Sequence, residues 1–82
     1  MNYIFDKLCT ILTDQFSFHY DQLQLETKFE LELGMDSREL LELLTDLEVS
    51  FEIKINFDEI DSLLEQGKFI TLQDLVNYIE NE

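Results

Sequence analysis

The stretch Thr27-Lys28-Phe29-Glu30-Leu31-Glu32-Leu33-Gly34-Met35-Asp36-Ser37-Arg38-Glu39-Leu40-Leu41-Glu42-Leu43 changes its hydrophobic period midway. Up to Leu33, apolar and acidic residues alternate. From Ser37 onward, Leu40, Leu43, Leu44, Leu47 and Phe51 recur at spacings of three and four, which predicts a helix from Ser37 to about Phe51 with one apolar face. Asp36 is a suitable N-cap, because a short carboxylate accepts a hydrogen bond from the free amides of a helix's first turn. Glu39 stands three residues on, where a capping-box partner belongs. Gly34, just upstream, lets the chain turn sharply into that start. A hydroxyl, Ser37, is thereby set at the first turn, where free N–H groups and the positive end of the helix dipole favour a phosphate. On spacing alone Ser37 is either a modifiable serine or simply the opening residue of a capped helix.

Upstream, Ile4, Phe5, Leu8, Ile11, Leu12 and Phe16 share one helical face and predict a first helix over about residues 2–16. Cys9 lies beside that stripe and reads as a small buried hydrophobe. Between the two helices Phe18, Tyr20, Leu23, Leu25, Phe29, Leu31 and Leu33 mostly alternate with polar residues. No second alternating segment is present to pair with them, and a lone two-stranded ribbon is marginal in water. The expectation is a long loop, Ser17 to Asp36, that pins apolar side chains onto the helices; such loops are often functional. His19, inside it, reads as a solvated side chain.

Downstream, a β-branched link (Ile53, Ile55) leads to Asn56 and Glu59, which repeat the cap spacing, and Ile60, Leu63 and Leu64 supply a short third helix ending near Gly67. Thr71 and Asp74 open a last helix carrying Leu72, Leu75, Val76 and Ile79. The predicted fold is all-α: a small four-helix bundle of three main helices plus one short helix, with the long loop between the first two, forming one domain over residues 1–82.

The chain has 19 acidic and 5 basic residues, a net charge of −14. Lys7, Lys28, Arg38, Lys54 and Lys68 are scattered, so no basic footprint for nucleic acid exists. No apolar run approaches the roughly 18 residues of a membrane span. An apolar fraction of 45% is too high for a disordered acidic tail, and the acidity points to partners with basic patches. Cys9 has no internal disulfide partner and the start of the chain has neither a basic flank nor an apolar signal core, so a cytoplasmic protein is expected. One His and one Cys on different elements support no nucleophile pair or triad, and zinc-ligand spacing is absent. The cluster Asn56, Asp58, Asp61, Glu65 lacks the glycine and terminal Glu of a calcium loop. No catalytic and no metal-binding residue is expected.

The run Thr27 to Leu43 resembles the signature of acyl carrier proteins, with its threonine–x–phenylalanine and its leucine–glycine–x–aspartate–serine before the second helix. The likeness continues through Leu47-Glu48-Val49-Ser50-Phe51, Ile53-Lys54-Ile55 and Thr71 to Ile79, and so covers nearly the whole chain. It implies that Ser37 carries 4′-phosphopantetheine, transferred from coenzyme A by a separate magnesium-dependent phosphopantetheinyl transferase, with Asp36 as the flanking motif residue. The protein would be a monomeric, non-catalytic carrier of acyl thioesters. Its partners would be acyl-loading and acyl-processing enzymes with basic patches, docking on Glu39, Glu42, Asp46 and Glu48. Leu41 projects off the main apolar stripe and is a candidate apolar docking contact, partial burial being the alternative. Arg38 stands where many members have a hydrophobic residue, and Val49 where an acid is common. The implied pathway is fatty-acid synthesis or a specialised lipid or polyketide route. An aminoacyl carrier of the D-alanyl or peptidyl type, and an unmodified helical interaction protein, are the alternatives.

Overall fold

Three helices begin at the side chains that the sequence marks as caps. The computed structural model, which describes residues 3–81, contains α1 (Tyr3–Gln15), α2 (Ser37–Phe51), α3 (Phe57–Glu65) and α4 (Leu72–Glu80), with no strand among those residues. Asp36 accepts a hydrogen bond from the Glu39 amide at 2.9 Å, and Glu39 accepts one from the Asp36 amide at 3.3 Å. The Asn56 side chain accepts from the Glu59 amide at 3.1 Å. At α4 the Thr71 hydroxyl accepts from the Asp74 amide at 3.2 Å while the Asp74 carboxylate accepts from the Thr71 amide at 2.9 Å. Each such cap is worth about 1 kcal/mol.

The predicted all-helical bundle is observed, with two differences in helix length. The first helix stops at Gln15 rather than Phe16, since Ser17 takes a left-handed φ of 61° that no helix continues through. Residue 2, placed in that helix by periodicity, lies outside the described residues. The third and fourth helices are both 9 residues long, so shortness is not particular to the third.

Leu8 and Leu12 of α1, Leu43, Leu44 and Leu47 of α2, and Leu72, Leu75 and Val76 of α4 are fully buried, and α1 packs on both α2 and α4. In α3 only Ile60 is buried, which makes it the least anchored helix. Cys9 lies in the core, where burial, reinforced by the Asp6 carboxylate, pushes its thiol up from 9.0 to about 11. A pKa raised by folding adds stability that is complete below the unfolded value and is lost as pH climbs through the folded one. The melting temperature should therefore fall between pH 9.0 and about 11, and fall less in Cys9→Ala. Equal falls in the two proteins would show that the buried thiol is not the cause.

The segment between α1 and α2 has more structure than its alternating pattern suggests. It contains a single 3-10 turn, Tyr20–Gln22, and then runs antiparallel to the start of α4. The Phe29 amide donates to the Ile70 carbonyl at 3.1 Å, and Lys28 faces Thr71 in an isolated antiparallel bridge. The Leu72 and Gln73 amides donate to the carbonyls of Thr27 and Leu25 at 3.0 and 2.9 Å. Two first-turn N–H groups of α4, which no helix satisfies internally, are thus closed by the loop. Thr27 is buried, its hydroxyl donating to the Gln22 carbonyl at 3.0 Å and accepting from the Gln24 amide at 2.9 Å. The alternation reflects one-sided burial: Leu23, Phe29 and Leu33 point into the core. Leu31, expected to pin the loop to the helices, is 76% exposed. The chain coils there, with the Glu32 and Leu33 amides both donating to the Lys28 carbonyl, and this turns Leu31 outward.

Candidate functional site at the start of the second helix

The approach to α2 is fixed from below. The Phe29 carbonyl accepts from the Met35 amide at 3.0 Å, and the Met35 side chain is buried. Between them Gly34 adopts φ +67°, a conformation that a side chain would strain. Asp36 is extended, with φ −83° and ψ −179°, and closes the capping box. Ser37 follows as the first residue of α2 and is exposed. Among the described residues its hydroxyl has no hydrogen-bond partner, and the amides of Ser37 and Arg38 have no acceptor. The start of α2 thus contrasts with that of α4, whose equivalent amides are closed by the loop.

Ser37 stands on the rim of a groove of about 350 Å³ between α2 and α3. Arg38, Leu41 and Asp61 share its lining with the apolar Leu40, Leu44, Phe57, Ile60 and Leu64. Arg38 is exposed and forms no ion pair among the described residues. The sequence places Ile60 and Leu64 on the short third helix; with Phe57 they fall at i, i+3, i+7 and mark the face of α3 that lines this groove.

The acidic residues of α2 sit in different surroundings. Glu42 is exposed and Asp46 half-buried; with Leu41, Thr45 and Gln15 at the end of α1 they border a second hollow. Leu41 is 50% exposed and belongs to both hollows, so it forms the ridge between them. Glu39 is half-buried and engaged in the capping box. The Glu48 carboxylate accepts from the Ile55 amide at 2.6 Å and so holds the link between α2 and α3. Val49 is 76% exposed on the last turns.

A family model described as "Phosphopantetheine attachment site" matches residues 6–79 of the chain. The "Acyl carrier protein" of Campylobacter jejuni (strain RM1221) is 35% identical over 77 residues, which cover 94% of this chain and 92% of that protein. That of Onion yellows phytoplasma (strain OY-M) is 36% identical over 76 residues, 93% of this chain and 92% of the relative. The "Acyl carrier protein" of Phytoplasma australiense is 35% identical, with 94% and 93% covered. Sharing a domain model and a third of its residues with these proteins along nearly all its length, the chain belongs to the acyl carrier protein family, whose members are non-catalytic carriers with a 4′-phosphopantetheine prosthetic group.

Proposed function

We propose that the chain carries acyl groups as thioesters on 4′-phosphopantetheine esterified to Ser37, with Asp36 as the flanking residue that fixes the helix start. The observation that carries this reading is the exposed, unbonded Ser37 hydroxyl beside two first-turn amides without acceptors. The residues present fit the group: a phosphodiester at this oxygen would meet the positive end of the α2 dipole, and the cationic Arg38, next in sequence, lines the same groove as Ser37. When attached, the group supplies a thiol at the end of a flexible tether, which raises the concentration of cargo at a docked enzyme. The chain's own residues hold the attachment point still, through the Gly34 turn and the Asp36–Glu39 box. A separate phosphopantetheinyl transferase loads it, and enzymes of fatty-acid or specialised lipid or polyketide synthesis use it, in the cytoplasm and as a monomer.

Incubation with coenzyme A, magnesium and a broad-specificity transferase should add one arm by intact mass, and peptide fragmentation should place it on Ser37. No adduct with several different transferases, or an arm on another residue, would refute the reading.

Docking is assigned to Glu39, Leu41, Glu42, Asp46 and Glu48. Of the acids, the carboxylates of Glu42 and Asp46 have no hydrogen-bond partner among the described residues, whereas those of Glu39 and Glu48 also hold the fold. Exposed charges act mainly on encounter, so Glu42→Lys with Asp46→Lys should slow arm transfer by about 10–100-fold at low salt. The deficit should shrink as salt screens the surface. An unchanged transfer rate would remove these two residues from the docking surface.

A further inference from the structure

Arg38 is the only arginine in the chain, and it stands directly after Ser37 in a protein of net charge −14. The start of α2 is otherwise crowded with negative charge. The Asp36 and Glu39 carboxylates both sit there, each bound to the other's amide, at 2.9 and 3.3 Å, and Glu42 follows one turn on. A phosphodiester at Ser37 would add a further negative charge to this cluster. The helix dipole and the free amides of Ser37 and Arg38 offset part of the repulsion, but the two carboxylates already draw on the same positive end.

The Arg38 side chain is placed to supply a cation here. Helical side chains lean toward the N-terminus of their helix, so a long one in the first turn lies back over the helix start. Ser37 and Arg38 line the same groove, which puts both on one side of α2. The one acid among the described residues of that lining, Asp61, belongs to α3 and forms no ion pair with Arg38. Ile60 is the only buried residue of α3, so Asp61 stands on the more weakly anchored wall. A phosphate fixed to the residue next to Arg38 is thus the better-placed anion. It also suits a guanidinium, whose planar fork offers parallel N–H donors to two phosphate oxygens.

We propose that Arg38 is the counter-ion of the arm's phosphodiester, pairing with it within the same chain and holding the first atoms of the arm at the start of α2. This rests on the reading of Ser37 as the attachment point. Arg38 is a positioning residue in this role. It takes no part in thioester chemistry but restricts the directions in which the arm leaves the surface. The chain thereby offsets the charge that its own modification adds, without waiting for a basic patch on a docked enzyme.

The test compares the full chain before and after arm attachment, each sample confirmed by intact mass. With one arginine in the sequence, the side-chain Nε–H group gives a single, unambiguous NMR signal. That signal should shift when the arm is attached at low salt, and should return toward its first position in about 1 M salt, where the screening length is about 3 Å. The phosphorus NMR line of the attached arm should be broader in the natural sequence than in Arg38→Leu, with Arg38→Lys between the two. Asp61→Asn should leave both readings unchanged. An Nε–H signal that does not move on attachment would overturn the proposal, as would a shift that high salt leaves untouched or phosphorus lines of equal width in the natural sequence and Arg38→Leu. A signal that moves in Asp61→Asn without any arm, and stays still on attachment, would place the guanidinium on Asp61 and overturn it too. A chain that takes no arm overturns the attachment reading as well, and that failure appears in the mass spectrum before any NMR.

Discussion

Ser37→Ala is expected to abolish arm attachment outright while leaving the fold intact. The Ser37 side chain is exposed and makes no hydrogen bond among the described residues, so its removal exposes no buried polar group. Alanine is the best helix former, and the box between Asp36 and Glu39 does not involve the Ser37 side chain. Stability should therefore change by no more than about 0.5 kcal/mol, the range of an ordinary surface substitution. The other serines are poor substitutes as acceptors. Ser17 follows α1 in a left-handed bend, and the Ser62 hydroxyl accepts from the Gln66 side chain at 3.0 Å. Ser50 is on the far end of α2, roughly 20 Å from Ser37 at the rise of an α-helix. Intact mass after transferase treatment, with thermal melts of both proteins, reads the two effects separately. A Ser37→Ala protein that still gains the arm would refute the assignment. One that loses the arm and also melts much lower would mean that Ser37 is structural.

Phe29→Ala should be the most damaging single change to the fold. The Phe29 ring is 2% exposed and lies 5.5 Å from that of Phe69, which in turn meets Tyr78 edge-on at 6.4 Å. Its amide ties the loop to Ile70 and its carbonyl holds Met35, the residue that sets the approach to α2. Truncating a buried Phe costs about 3–5 kcal/mol. Domains of this size hold only about 5–10 kcal/mol in total, so much of the stability is expected to be lost. Urea unfolding followed by far-UV circular dichroism measures the effect, and Phe29→Leu should recover part of it. A loss below about 1 kcal/mol would mean that the site relaxes around the cavity and that the loop is anchored elsewhere.

The helix starts were legible because their cause is local. Asp36, Asn56 and Thr71 each lie within three residues of the amide they cap, and the Leu40–Leu47 face of α2 repeats within one element. The geometry around Ser37 was legible for the same reason, since the Gly34 turn and the Asp36 cap act through backbone geometry over four residues. The loop and its buried Leu23, Phe29 and Leu33 were legible, but its backbone pairing was not, because the partners are remote: Leu25 and Thr27 find theirs in α4, and no window of sequence contains both. Leu31 follows the alternating pattern yet faces out, since a coil at Lys28–Gly34 breaks the register that the pattern assumes. The α3 wall of the groove was hidden in a different way. Phe57, Ile60 and Leu64 look like any core stripe until the weak burial of α3 shows that only Ile60 is sealed.

The closing of α4's first turn by the Leu25 and Thr27 carbonyls also bears on the order in which the chain acquires its structure. During synthesis the N-terminal segments emerge first, so these carbonyls wait without partners until residues 70–73 have been made. The bonds that join the last helix to the connecting segment can therefore form only once both are present, although α4 carries its own cap. After folding they should also open together. The Leu72 and Gln73 amides should then exchange with solvent deuterium at the pace of the 25–29 segment, not at that of the helix to which they belong.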